Sequence, residues 1–201
     1  MKALSTLVAL SALGMSTIAL AASGTITING KIYNETCVLS GADSTATGTG
    51  NVVVTLNTIP SSNFTSLNRV SGLKAFNVGL TKTDGSACYT AAGLGANLAP
   101  VVTLSTANAS DYKSDETTAL LNKASTKSAT NPAYIQILAK PNSTGAGVAV
   151  DYSDTATQAK AAYDSTNNRF YYAAQYYAGN GSVIPEAQDV TAVVTYNITY
   201  P

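Results

Sequence analysis

The sequence predicts an all-β protein, a sandwich of two sheets made from short strands. Three observations carry that expectation. About seven short apolar stretches are divided by Gly, Pro, Asn and Ser signals, with hardly any pattern of helical period. Within them apolar residues recur at every second position, the period at which a strand buries one face. Near both ends of the chain that alternation is strict. Ile26, Ile28, Gly30 and Ile32 oppose Thr27, Asn29, Lys31 and Tyr33, and Val190, Ala192, Val194, Tyr196, Ile198 and Tyr200 oppose Thr191, Val193, Thr195, Asn197 and Thr199.

Residues 1–21 read as a secretory signal peptide: Lys2, an apolar run over 4–20, and small residues at Ala19 and Ala21 in the A-x-A arrangement. No later segment approaches the ~20 apolar residues of a membrane-spanning helix, so the mature chain is expected to carry no membrane span. It should begin near Ala22 and, at about 180 residues, form one domain with room for a real core. The first strand opens at Gly24 and leads to Cys37 (GTITINGKIYNETC). Residues 40–50 (SGADSTATGTG) read as a loop, and 51–56 (NVVVTL) as a buried strand closed by Ile59-Pro60.

Residues 75–81 (AFNVGLT) place Phe76, Val78 and Leu80 on one side and reach Cys88 through the turn pair Asp84-Gly85. A short strand follows over 99–104, and 117–127 (TTALLNKASTK) suggests two or three helical turns inside a polar stretch. Strands are expected again over 133–140 (AYIQILAK) and 169–178 (RFYYAAQYYA), the last followed by a turn at Gly179-Asn180-Gly181, with a short apolar piece at 147–150 between them. In that stretch Tyr172 and Tyr176 share a face with Phe170 and Ala174, which makes them core or groove wall, while Tyr171 and Tyr177 lie opposite.

Composition removes several functions. The chain has 11 basic and 11 acidic side chains, and without Lys2 the balance is 10 against 11, so nothing attracts nucleic acid or an anionic membrane. It contains no histidine, hence no Ser-His-Asp or Cys-His constellation and no imidazole base or ligand. The glycine pairs Gly93/Gly95 and Gly145/Gly147 lack the third glycine of a dinucleotide loop. Asp111, Asp115 and Glu116 lack the alternate-residue run of a calcium loop. Neither an enzyme, a metal site nor a cofactor is expected. Cys37 and Cys88 are the only cysteines, in a chain addressed to an oxidising compartment, and are expected to form a disulfide.

Taken together, GTITINGKIYNETC, NVVVTLNTIP, AFNVGLT with Cys88, FYYAAQYYA, and TAVVTYNITYP with its penultimate Tyr200 resemble the corresponding blocks of the chaperone-usher fimbrial subunits of the type 1 pilin class. The blocks are spread over the whole mature chain. The resemblance implies an incomplete immunoglobulin-like β-sandwich, the pilin fold, whose missing strand leaves a hydrophobic groove beside the C-terminal strand. It implies a division into a donor-strand segment, residues 22–34, and a pilin domain, residues 35–201. Chaperone–pilin pairs are an established instance of strand addition.

By the same resemblance, Ile26, Ile28, Gly30 and Ile32 form the donor strand, with Gly30 passing where the groove is shallow. Val194, Tyr196, Ile198, Tyr200 and the carboxylate of Pro201 form the groove-edge strand that a periplasmic chaperone grips. The implied partners are that chaperone, an outer-membrane usher and neighbouring pilin subunits; the implied location is a cell-surface fimbria reached through the periplasm, serving adhesion. The alternative is a self-contained secreted β-sandwich binding carbohydrate through its surface tyrosines. Whether residues 24–33 pair within their own domain or with another chain separates the two.

Overall fold

The computed structural model describes residues 37–86, 88, 99–181 and 183–200. The leader, the donor segment 22–34 and Pro201 lie outside them, as do Gly93 and Gly95. The described residues form twelve strands and two single turns of 3-10 helix, Ser61–Asn63 and Ala109–Asp111. The strands are β1 (Val38–Gly41), β2 (Ala46–Thr47), β3 (Val53–Val54), β4 (Val70–Thr81), β5 (Val101–Ser105), β6 (Tyr112–Lys113), β7 (Glu116–Leu120), β8 (Tyr134–Ala139), β9 (Val148–Ala149), β10 (Tyr163–Asp164), β11 (Arg169–Tyr177) and β12 (Thr195–Thr199). No helix among the described residues is long and apolar enough to cross a membrane.

One layer is a large antiparallel sheet in the order β1-β4-β11-β8-β7-β6, with β10 beside β11 and β9 beside β8. The other contains the pair β5-β12 and the short pair β2-β3. The alternating residues of β4 and β11 make the floor between them: Phe76, Val78 and Leu80 on one strand, Phe170, Tyr172 and Ala174 on its neighbour, all buried. Val102 and Leu104 of β5 close over them, and Leu39 of β1, Leu120 of β7 and Ile135 of β8 complete the same core. Phe76 and Tyr172, directly paired in register, stack with ring centroids 5.6 Å apart. The disulfide between Cys37 and Cys88 has formed, with Cα atoms 5.8 Å apart.

The β4/β11 ladder shifts register between Ala174 and Tyr176, where β4 carries one residue more than its partner. Gly72 absorbs it at φ +68, and a Cβ there would lie 2.9 Å from the Tyr176 ring. Only glycine takes that backbone without strain and leaves room for the tyrosine.

Three expectations are corrected. Residues 117–127 are not helical: 117–120 belong to β7, paired with β6 and β8, and the chain beyond is a loop organised by Asn122. Its buried amide accepts from the N–H groups of Ala124 and Thr191 and donates to the Asp189 carbonyl and Gln188 Oε1. Those bonds compete with helix formation, and Thr117 and Thr118 are β-branched.

Residues 40–50 are not all loop. Asp43 Oδ1 accepts the N–H groups of Thr45 and Ala46, each at 2.8 Å, and Oδ2 accepts Asn77 N–H and Nδ2. One carboxylate thus folds this glycine- and serine-rich stretch back against β4 and seats Ala46, the start of β2, fully inside. Residues 51–56, expected as a buried strand, pair only at β3, and Val53 is 62% exposed. Val52, Val54 and Leu56 are half-buried against the core.

Candidate functional site: an apolar groove beside the last strand

The final stretch keeps the alternation read from its sequence. Val190, Ala192, Val194, Tyr196 and Ile198 are half-buried, and the residues between them are largely exposed. The ladder is shorter than the alternation, because β12 spans only Thr195–Thr199, opposite the five residues of β5. Tyr200 is 41% exposed and does not continue the inward-facing stripe.

Among the described residues β12 pairs with β5 and with no other strand, so its second edge has no ladder. At the start of β12 lies a groove of about 590 Å³. Residues 193–196 form one wall and residues 50–52 with Val54 the other. The floor is Leu39, Phe76, Val78, Leu104, Ile137 and Tyr172. Its lining is mainly apolar.

Tyr196 ties the walls together at one end. Its hydroxyl accepts the Leu39 N–H at 3.3 Å and donates to the Gly50 carbonyl at 3.0 Å. Tyr172, beneath the groove, is 3% exposed, and burial pushes its phenol well above the usual tyrosine range. Its hydroxyl has no hydrogen-bond partner among the described residues.

Of the groove-edge residues expected from the sequence, Val194 and Tyr196 line the groove. Ile198 lies on the same face and packs against the core further along. Tyr200 does neither, and Pro201, with the donor residues Ile26, Ile28, Gly30 and Ile32, lies outside the described residues. Sequence reading missed the opposing wall. Its signal was the alternation Val52, Val54, Leu56, which reads equally well as a strand covered on both sides.

The tyrosines of β11 are occupied internally. Tyr171 is half-buried with its hydroxyl on Asp164, and Tyr177 is buried with its hydroxyl on Asn180. Nothing here favours a carbohydrate-binding face. The carboxylates considered for a metal are committed elsewhere: Asp111 pairs with Lys123 and Asp115 with Lys113.

No protein-family model matches the chain. Two curated proteins do. The F17 fimbrial protein of Escherichia coli is 30% identical over 189 residues, covering 92% of this chain and 91% of that protein. The major fimbrial subunit SMF-1 of Stenotrophomonas maltophilia (strain K279a) is 31% identical over 186 residues, covering 90% and 94%. Among solved structures, the P pilus rod subunit PapA covers 89% of this chain and 100% of its own at 15% identity, with a TM-score of 0.49, a likeness too slight to carry an argument. The two full-length relatives at 30% identity or above decide the matter: this chain belongs to the family of bacterial fimbrial subunits.

Proposed function

We propose that this chain is a structural, non-catalytic subunit of a bacterial surface fimbria and that it polymerises by donor-strand exchange. The observation that carries the reading is the apolar groove between residues 50–54 and 193–196, beside a β12 edge that no described strand pairs. Residues 22–34 of the next subunit supply a strand of matching character. Ile26, Ile28 and Ile32 fall on one face of an alternating stretch whose fourth position is Gly30, like the half-buried stripes of both walls, and 26 to 32 spans roughly 20 Å of extended chain. Full burial of three isoleucines contributes roughly 5 to 9 kcal/mol, comparable to the net stability of a domain.

Residues 35–201 then form the pilin domain, and residues 22–34 leave it to serve a neighbour. Before assembly the exposed groove needs cover, which a periplasmic chaperone provides by adding its own strand to β12; an outer-membrane usher passes the subunit to the growing fimbria at the cell surface. The Pro201 carboxylate is the end the chaperone holds.

A thermal melt of a chain beginning at residue 35, with and without a synthetic peptide of residues 22–34, tests this. A low melting temperature raised by tens of degrees on adding the peptide is expected. A high melting temperature indifferent to the peptide would overturn the proposal.

A further inference from the structure

We propose that Gln158 is a strand stop: its amide occupies the outer edge of β5 and thereby confines strand addition to the β12 side of the small sheet. The inference rests on the reading of the groove as a site of strand addition. A sheet that must stay open on one edge to polymerise is open to unwanted pairing on the other, because a free edge is a template for any extended chain. Among the described residues β5 pairs with β12 and with no other strand. On its other side Gln158, 5% exposed, accepts the Leu104 N–H through Oε1 at 2.9 Å and donates from Nε2 to the Leu104 carbonyl at 2.8 Å.

That is the bonding an opposing residue supplies in an antiparallel ladder, where one residue exchanges both of its backbone groups with its partner. One side-chain amide therefore imitates a strand one residue long. It also requires that Leu104 turn its backbone groups away from Tyr196, its partner across the ladder, so the occupied edge is the outer one. A second bond from Nε2 to the Asp151 carbonyl, at 3.2 Å, and the Gln158 N–H on the Asp154 carbonyl hold the side chain in place. The segment that carries it is fastened in turn to the large sheet, with Tyr152 N–H on the Thr117 carbonyl and Ala162 N–H on the Lys140 carbonyl.

The test uses the full chain with its groove saturated by the peptide of residues 22–34, comparing wild type, Gln158→Leu and the control Val150→Ala. Val150 is fully buried, and its truncation lowers stability while leaving both bonds between Gln158 and Leu104 in place. Sedimentation velocity should show wild type and Val150→Ala remaining single subunits with one peptide bound, and Gln158→Leu associating further or binding a second peptide. Gln158→Glu, which keeps the acceptor for Leu104 N–H and loses the donor, should associate to a lesser degree.

In wild type the Leu104 amide should exchange with solvent slowly, and in Gln158→Leu roughly 2- to 13-fold faster, the effect of losing one net hydrogen bond. Gln158→Leu that stays a single subunit, Val150→Ala that associates equally, or a fast-exchanging Leu104 amide in wild type would each overturn the inference. If the peptide binds none of the proteins, the groove reading has failed instead, and Leu104 exchange still decides the role of Gln158.

Discussion

Replacing Tyr196 with phenylalanine removes one oxygen from the end of the groove and should be felt across the sandwich. The ring still fits, because the hydroxyl is the only atom lost, so packing is unchanged to first order. What changes is the partner count of two backbone groups on other segments. Leu39 is 4% exposed, and its N–H, now directed at the Tyr196 hydroxyl, would be left inside without an acceptor. The Gly50 carbonyl, at a half-exposed glycine, can turn to water.

An orphaned buried donor costs about 1–3 kcal/mol. In a domain of about 170 residues, each kcal/mol moves the melting temperature by ~2–4 °C. Tyr196→Phe should therefore melt roughly 2 to 12 °C below wild type in the same chain beginning at residue 35, by circular dichroism or calorimetry at neutral pH. Amide exchange at Leu39 should quicken by about tenfold or more, whereas exchange at Val78 on β4 should follow only the global change. A variant that melts within a degree of wild type, with Leu39 exchange unchanged, would show that Tyr196 does not tie the walls together.

Asp43→Asn should destabilise the domain by about 2–4 kcal/mol, since Oδ2 accepts two donors from Asn77 and an amide placed there turns a charge-assisted pair into opposed donors; a chemical denaturation midpoint measures it, and an unchanged midpoint contradicts it. Replacing both Cys37 and Cys88 with alanine opens a loop of 51 residues and should remove about 4 kcal/mol, a fall of roughly 8–16 °C in melting temperature that reducing agent reproduces in wild type and leaves absent in the variant. Stability should be nearly flat from about pH 5 to 8, because the chain has no histidine. Asp111, Asp151, Asp154 and Asp164 are held below the usual carboxylate range by hydrogen bonds from Lys123, Ser153, Thr157 and Asn167 respectively. Their contribution is present above the unfolded value of about 3.9 and is lost as pH falls through the folded values, so melting temperature should drop below about pH 4. At the alkaline end, burial raises the phenols of Tyr152 and Tyr172, and stability should decline as pH passes the unfolded value of about 10. A midpoint near pH 6.5 would contradict the whole profile.

An open groove fits the marginal stability expected of a subunit on its own. The stripe on β12 and its counterpart on residues 50–54 stay half-covered while the floor between them is already packed. On the proposed reading, the missing contribution is hydrophobic contact along one strand's length, supplied by a neighbour's segment, and the open edge is confined to one place so that each subunit accepts one strand.

The alternating stripes were legible residue by residue. Phe76, Val78 and Leu80, then Phe170, Tyr172 and Ala174, turn inward as their spacing requires, and Val190 to Ile198 keeps its two faces to the end of β12. Side-chain direction along a strand follows from backbone geometry alone, so local sequence suffices to determine it. The cysteine pair was equally plain, because two cysteines leave one combination.

What tertiary structure decided was which stripes would be covered, and by what. Residues 51–56 and 190–200 carry the same alternation as β4, yet Val52, Val54, Val194 and Tyr196 face a groove where β4 is sealed, because coverage depends on partners distant in sequence that have no local signature. The same holds for single polar residues with distant partners. Asp43 folds residues 40–50 onto Asn77, Asn122 turns 121–126 away from a helix by bonding Asp189 and Thr191, and Gln158 finishes the edge of β5 from 54 residues away. Sequence determines the face a residue presents; only the assembled fold determines whether a partner is there to meet it.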